Sequence, residues 1–146
     1  MFYDSKNCKN CYLPLHPSIF QKLLAKFKQH ITQDLNFLQD KKLLIAISGG
    51  LDSVVLAHLL HKLNFDISFA HCNFKLREDE SDKDETFVIK VGNTLTTETF
   101  TTQFDTNQFA KENKLSTQIA ARKLRYNWFQ ELVVKHKFDY VLTAHH

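Results

Sequence analysis

The 146-residue sequence contains little glycine, proline and cysteine: 3 Gly, 2 Pro and 3 Cys. This scarcity excludes collagen-like and linker-like chains, and it makes the adjacent pair Gly49 and Gly50 unusual. Three cysteines, an odd number, do not suit a disulfide-stabilised secreted domain, and the first residues lack the apolar core of a signal peptide. We therefore expect a cytoplasmic protein.

Long apolar runs and an excess of one charge are also lacking. The longest apolar runs, such as residues 43–47 and 54–57, are far shorter than the roughly 20 residues of a membrane-spanning helix. We expect no membrane partner. The net charge is only +3, with acids and bases interspersed, so a nucleic-acid partner is permitted but not required. The 43% of hydrophobic residues, 13 of them Phe, can fill the core of one globular domain.

The pattern along the chain predicts an α/β domain. Four short segments are predicted to be strands: residues 43–47, 66–71, 98–104 and 140–143. Apolar residues at helical spacing surround them, with Pro17, Asp105 and Ser116 as helix-starting residues. Strands separated by helices need right-handed crossovers, so we expect a doubly wound parallel sheet with helices on both faces. Residues 1–16 are predicted to be an irregular lead-in, and residues 17–146 one partial domain.

The turn after the first predicted strand carries the strongest chemical signal. It comprises Ser48, Gly49, Gly50, Leu51, Asp52 and Ser53. Ligands of open parallel sheets bind at the carboxyl ends of strands, and two glycines there let backbone N–H groups close on a phosphate. Asp52 would repel that phosphate unless a divalent cation lay between them, which indicates a Mg²⁺–nucleotide site. Alternatively, Ser48, Asp52 and Ser53 only cap the following helix.

Three later segments carry polar residues that a parallel sheet would bring towards this turn. They are HCNFKLR at residues 71–77, AARKLRY at residues 120–126 and TAHH at residues 143–146. Their candidate site residues are His71, Asn73, Arg77, Arg122, Arg125, His145 and His146. Each segment also has an ordinary structural explanation: a hydrogen-bonded histidine, an ion-paired arginine stripe or surface histidines.

These four segments together resemble a known family of enzymes. Residues 48–53 resemble the pyrophosphate loop of the N-type ATP pyrophosphatases, the PP-loop family, which cleave ATP between its α and β phosphates. The later segments resemble the His-x-Asn-x-x-Leu-Arg, Ala-Arg-x-x-Arg-Tyr and Thr-Ala-His-His motifs of the tRNA(Ile)-lysidine synthases. Many family members carry a second histidine where Phe74 stands, so we assign that position no polar role.

The resemblance implies an ATP-dependent ligase that joins L-lysine to C2 of the wobble cytidine of tRNA(Ile). The reaction passes through an adenylated intermediate and changes the codon that the tRNA reads from AUG to AUA. The resemblance also implies ATP and Mg²⁺ as cofactors and leaves a homodimer open. By the same resemblance Asp52, Arg125 and His145 are the catalytic residues, with Asp52 holding Mg²⁺ through ATP.

The same resemblance leads us to expect a fragment. The family's last motif continues with an Asp and a Glu, and its tRNA-binding regions lie further downstream, whereas this sequence stops at His146. We therefore expect the amino-terminal catalytic core of a longer enzyme, inactive on its own.

Two other functions stay open at this point. One is a tRNA thiolase of the same family, for which Cys72 is the candidate nucleophile. The other is an ATP-binding module without catalysis. Cys8 and Cys11 form a single Cys-x-x-Cys pair, which is half of a zinc site, and we take them to be reduced bystanders.

Overall fold

The structure, a computed structural model, describes residues 15–144. Five α-helices are present in this part of the chain: α1 (Pro17–Asp34), α2 (Leu51–Lys62), α3 (Asp79–Thr94), α4 (Thr106–Glu112) and α5 (Thr117–His136). A short 3-10 helix, Asn36–Leu38, lies between α1 and the first strand. Four strands alternate with them: β1 (Lys42–Ala46), β2 (Asp66–Asn73), β3 (Thr99–Gln103) and β4 (Tyr140–Thr143). None of the described helices is long and apolar enough to cross a membrane.

The four strands form one parallel sheet in the order β3-β2-β1-β4. The chain moves outwards from β1 to β3 and then returns to place β4 on the other side of β1. The strand order therefore reverses between β1 and β4, which is where open α/β sheets bind their ligands. The predicted doubly wound parallel sheet is confirmed.

Helices cover both faces of this sheet because β1 is apolar on both sides. Ile45 packs in one core with Val54 of α2 and Val88 of α3. Its neighbour Leu44 points the other way, into a second core with Phe129 of α5. Leu44 and Ile45 are fully buried, as expected for a strand in the middle of a parallel sheet.

The predicted helix starts are confirmed by their caps. The Ser116 hydroxyl accepts a hydrogen bond from the Ile119 amide at 3.3 Å, and the Asp105 carboxylate accepts one from the Gln108 amide at 3.1 Å. Pro17 opens α1, as its fixed φ and missing amide hydrogen favour. These side chains satisfy amide groups that have no partner within the helix, so they fix where each helix begins.

Several boundaries differ from the sequence-based prediction. Strand β1 begins and ends one residue earlier than predicted, at Lys42–Ala46, and β3 is one residue shorter at each end, at Thr99–Gln103. Strand β2 continues past residue 71 to Asn73, because β3 supplies partners for Cys72 and Asn73 at Thr102 and Gln103. Helix α3 begins at residue 79, inside the charged stretch of residues 77–85 and before the first apolar residues at helical spacing. Acidic residues suit this position, since the positive end of the helix dipole stabilises them in the first turn.

Gly92 lets α3 approach β3 closely. A Cβ at this position would lie 2.0 Å from Thr99 Oγ1 and 3.1 Å from Thr99 Cβ.

We expect Gly92→Ala to destabilise the protein by about 1–3 kcal/mol, even though alanine favours helix, because the overpacked strand must move. Chemical denaturation measures the free energy of unfolding. Asn93→Ala, one residue further along at an exposed position, is the control and should change it little; equal stability of the two variants would contradict this account.

His58 is a buried titratable group far from water. It is 6% exposed, and among the described residues no hydrogen-bond partner reaches its Nε2. Burial, assisted by nearby His61, lowers the pKa of His58 from 6.5 to about 4. Because the unfolded chain binds the proton more readily, stability is complete above pH 6.5 and falls as the pH drops towards 4.

We expect His58→Leu to flatten that part of the stability profile. The pKa shift corresponds to a loss of up to about 3 kcal/mol for the wild-type chain across this range. Urea denaturation at several pH values measures it. His30→Gln, at an exposed position, should reproduce the wild-type slope. If His58→Leu does so as well, His58 does not titrate as described.

Candidate functional site

The connection between β1 and α2, residues 48–53, is called the glycine turn below. Gly49 has φ of +90°, a left-handed conformation that side-chain-bearing residues rarely adopt. Gly50 precedes the first residue of α2 with φ of −72° and ψ of 163°, so its backbone suits any residue. Only Gly49 is therefore required by backbone conformation. At Gly50 a Cβ would lie 3.3 Å from Ser48 Oγ, a tight contact.

Two serine hydroxyls brace the glycine turn from within. The Ser48 amide donates to Ser53 Oγ at 3.1 Å, and the Gly50 amide donates to Ser48 Oγ at 3.2 Å. Ser53 Oγ donates to the Gly50 carbonyl at 3.1 Å. The helix-cap alternative is therefore met in part, since the hydroxyls satisfy amides of the turn, but no side chain caps α2 at Gly50.

A cavity of about 390 Å³ lies over the glycine turn. It is lined by Ala46, Ser48, Gly50, Leu51, Asp52, Ser53 and Ala144. Asp52 is exposed in the first turn of α2, whereas Ser53 is buried. The polar groups here are a carboxylate and two hydroxyls next to a helix N-terminus. Oxygen ligands of this kind suit a hard cation such as Mg²⁺ bound together with an anion.

A second cavity of about 310 Å³ lies between the ends of β1 and β2 and helix α5. It shares Ala46 and Ser48 with the first cavity, so the two adjoin at the glycine turn. Its other lining residues are Ile47, Ala70, His71, Cys72, Asn73, Phe74, Leu76, Arg77, Ser81, Asp84, Arg125 and Phe129. Apolar walls with a few convergent polar groups are typical of a small-molecule site.

His71 is buried in the wall of this second cavity. It is 4% exposed, and its Nδ1 lies 2.7 Å from the Ile47 carbonyl oxygen. A carbonyl only accepts, so Nδ1 carries a proton and donates it to this bond. No partner within residues 15–144 reaches Nε2. His71 thus joins β2 to the end of β1 through Nδ1.

Asn73 was predicted as a site residue, and in the structure its side chain makes hydrogen bonds that hold neighbouring elements together. Its amide nitrogen donates to Asp82 at 2.9 Å and to Glu85 at 2.8 Å, and its oxygen accepts from the Lys75 amide at 3.0 Å. The side chain lines the second cavity but is 1% exposed. These bonds fasten the end of β2 to α3 and set the path of the loop between them.

Arg77 and Asp84 form an ion pair at the opening of the second cavity. Arg77 Nη2 donates to Asp84 Oδ2 at 2.5 Å. Asp84 also lies against the glycine turn, since a Cβ placed on Gly49 would be 3.5 Å from its Cβ and Oδ1. Sequence reasoning missed Asp84. Its spacing of three residues from Ser81, on one face of α3, is the signal that could have found it.

The two arginines of α5 separate in the structure. Arg125 lines the second cavity, with its guanidinium carbon 6.0 Å from the Phe74 ring centroid. Arg122 is exposed outside the cavity, 5.0 Å from the centroid of Tyr126. Of this predicted pair, only Arg125 therefore reaches the cavity wall. The predicted His145 and His146 lie outside the described residues.

Cys72 also lines the second cavity. Burial raises the pKa of its thiol to about 12, although nearby Arg125 acts in the opposite direction. The thiol is therefore protonated at neutral pH and is a weak nucleophile. Cys8 and Cys11 lie outside the described residues. Within residues 15–144, no group of three or more His, Cys, Asp and Glu side chains is placed to hold a metal ion.

Several bacterial proteins of one name are similar to this chain in sequence. The chain is 42% identical over 118 residues to a tRNA(Ile)-lysidine synthase of Bacteroides thetaiotaomicron, covering 81% of this chain and 28% of the relative. It is 43% identical over 107 residues to that of Porphyromonas gingivalis, covering 73% and 24%. With the enzyme of Petrotoga mobilis the identity is 37% over 131 residues, covering 87% and 41%. The chain thus spans well under half the length of these relatives.

Solved structures share the fold. An NH3-dependent NAD synthetase from Campylobacter jejuni superimposes with a TM-score of 0.57 and 18% identity, covering 80% of this chain and 53% of that one. An NMN synthetase from Francisella tularensis gives a TM-score of 0.61 with 18% identity, covering 87% and 53%. At this identity the likeness concerns the fold alone. A profile of the PP-loop domain matches residues 20–146, and the chain belongs to that family.

Proposed function

We propose that this chain is the ATP-binding catalytic core of a tRNA(Ile)-lysidine synthase. The enzyme would join L-lysine to C2 of the wobble cytidine of tRNA(Ile) and so change decoding from AUG to AUA. The observation that carries the proposal is the meeting of two cavities at the glycine turn, one beside Asp52 and one beside Arg125. Its support comes from relatives of that name at 37–43% identity.

The proposed reaction has two steps, and both balance. The C2 oxygen of cytidine attacks the α phosphorus of ATP, and the bond to the bridging oxygen breaks to release pyrophosphate. An amine of lysine then attacks C2, the C2–O bond breaks, and AMP leaves while the nitrogen loses a proton. Adenylation is needed because oxygen bound to C2 is otherwise a poor leaving group.

The glycine turn would hold the polyphosphate. The N-terminus of α2 would stabilise the negative charge that develops on pyrophosphate, while the Ser48 and Gly50 amides already donate to serine hydroxyls. Ser48 and Ser53 keep the turn in shape through their mutual hydrogen bonds. Asp52 fits an ATP-bound Mg²⁺, because it offers an exposed carboxylate next to serine hydroxyls in the same cavity. When bound, Mg²⁺ offsets phosphate charge.

Arg125 would contact the phosphate or the adenylated base. Its guanidinium is half-buried on the wall of the second cavity, where a planar cation with several donors suits a phosphate group. The apolar neighbours Phe74 and Phe129 suit a nucleobase better than a polyphosphate. We therefore place the nucleoside of ATP in the second cavity and the phosphates of ATP on the glycine turn. His145 and His146 stay predicted site residues.

The remaining parts of the proposal concern the whole enzyme. tRNA(Ile), L-lysine and ATP are its proposed partners, with no membrane partner, and a homodimer stays open. A cytoplasmic location and the division into residues 1–16 and 17–146 also stay predictions.

A tRNA thiolase is less well supported. Such an enzyme needs a reactive sulfur at the site, and Cys72 is the cysteine that lines the second cavity. With its pKa raised to about 12, the thiol stays protonated and unreactive near neutral pH.

A non-catalytic ATP-binding module is the other alternative, and release of pyrophosphate distinguishes it from an enzyme.

Asp52→Ala tests the role of magnesium at the glycine turn. We expect it to weaken binding of ATP with Mg²⁺ by about tenfold and to leave Mg²⁺-free ATP binding unchanged or slightly stronger, since one carboxylate is lost. Isothermal titration calorimetry with and without EDTA measures both. Asp66→Ala, exposed at the start of β2 and therefore at the opposite end of the sheet, is the control. Unchanged affinity for ATP with Mg²⁺ would exclude Asp52 from the cation site.

Incorporation of labelled lysine into tRNA(Ile) tests the whole proposal. We expect none from the 146-residue chain, and ATP-dependent incorporation when the remaining sequence of the Bacteroides thetaiotaomicron relative is joined after residue 146. In the extended protein Arg125→Ala should lower incorporation by about two orders of magnitude, because it removes a cation at the reacting phosphate. The exposed Lys123→Ala is its control. Sulfur transfer in place of lysine incorporation would move the assignment to the thiolase.

A further inference from the structure

Asp84 lies where an acid is unexpected. A Cβ built on Gly49 would be 3.5 Å from the Asp84 carboxylate oxygen Oδ1, so this carboxylate is adjacent to the glycine turn. It also lines the second cavity and is only 34% exposed. A phosphate on the turn would be repelled by a carboxylate at this distance. An unneutralised Asp84 would therefore weaken the binding that the proposed function requires.

Arg77 supplies the missing positive charge. Its Nη2 donates to Asp84 at 2.5 Å, and its backbone amide donates to the Ser81 hydroxyl at 3.1 Å. Nη1 is 3.6 Å from Glu80, which is 71% exposed and so contributes little. A guanidinium has five N–H donors in a rigid fork, so one nitrogen can stay on Asp84 while another meets a phosphate oxygen.

The ion pair also restricts a side chain that would otherwise move. Arg77 is 63% exposed and lies in the loop between β2 and α3, where its near neighbours Lys75 and Glu78 both have positive φ. A long side chain in such a place samples many rotamers in water, and ordering it costs entropy when a ligand binds. Asp84, on a helix, holds the guanidinium through a carboxylate that itself lies against Gly49.

We infer that Asp84 is a positioning residue that holds the Arg77 guanidinium beside the glycine turn, ready for the phosphates of ATP. The inference rests on the proposed function, because it assumes ATP at the turn. It differs from two other roles for the same carboxylate. If Asp84 only repels phosphate, its removal strengthens ATP binding. If it instead binds the Mg²⁺ of the nucleotide, its removal weakens binding only when Mg²⁺ is present.

A double-mutant cycle on the 146-residue chain separates these roles. Asp84→Asn should weaken ATP binding about five- to tenfold, both with Mg²⁺ and with EDTA. Arg77→Gln should weaken it at least as much. The double variant should bind no more weakly than Arg77→Gln alone, because Asp84 acts through that arginine. Glu80→Gln is the matched control, since it removes an exposed carboxylate near Arg77 but away from the turn.

A second measurement does not depend on ATP. Nuclear magnetic resonance relaxation of the Arg77 Nε–H group should report a restricted side chain in the wild-type protein and a mobile one in Asp84→Asn. Circular dichroism and thermal unfolding confirm that each variant is folded.

Each result has a defined meaning. Stronger or unchanged ATP binding by Asp84→Asn, a loss confined to Mg²⁺-containing buffer, or an Arg77 side chain equally mobile in both proteins would overturn the inference. Additive losses in the double variant would do so too. If the wild-type chain binds no ATP while Arg77 is still ordered by Asp84, the proposed function fails, and the positioning role for ATP fails with it. ATP binding that is merely insensitive to Asp84 leaves the proposed function intact.

Discussion

The burial of β1 on both faces is the constraint on which the site depends. The strand bonds to β2 on one side and to β4 on the other, and Leu43, Leu44 and Ile45 are fully buried. Such a strand has no place for a charged or strongly polar side chain. Polar chemistry can begin only after the buried run that ends at Ile47, one residue past the strand, and the glycine turn follows there directly. Even Ile47 takes part, because its carbonyl accepts the bond that orients His71.

Much of the fold was predictable because its determinants are local in sequence. An apolar run that ends just before Ser48 and Gly49 marks β1. The capping side chains of Asp105 and Ser116 mark the starts of α4 and α5. The parallel sheet then follows from the alternation of helices and strands. The end of β2 was not predictable in the same way. Its last two residues become strand because β3, distant in sequence, supplies their partners.

The residues of the candidate site were found more easily than their roles. Arg122 and Arg125 are three residues apart on one helix, so spacing alone does not say which one faces the cavity; packing of α5 on the sheet decides this. Asn73 carried a ligand-like signal, yet its bonds to Asp82 and Glu85 are structural. Asp84 meets Gly49 only after β2 and α3 have folded against β1. Contacts of this kind depend on tertiary structure, and no local pattern records them.

The balance of charge at the glycine turn explains why acids and arginines occur together there. Phosphate alone would favour cations only, and a site built only from cations would bind ATP, pyrophosphate and AMP with little discrimination and release them slowly. An arginine paired with Asp84 keeps its position while part of its charge is already compensated. Asp52, on the other side of the turn, makes tight binding depend on a bound cation in the proposed function. In the proposed function, such a site would hold the nucleotide firmly with the cation present and still release pyrophosphate, since no fixed excess of positive charge would retain it.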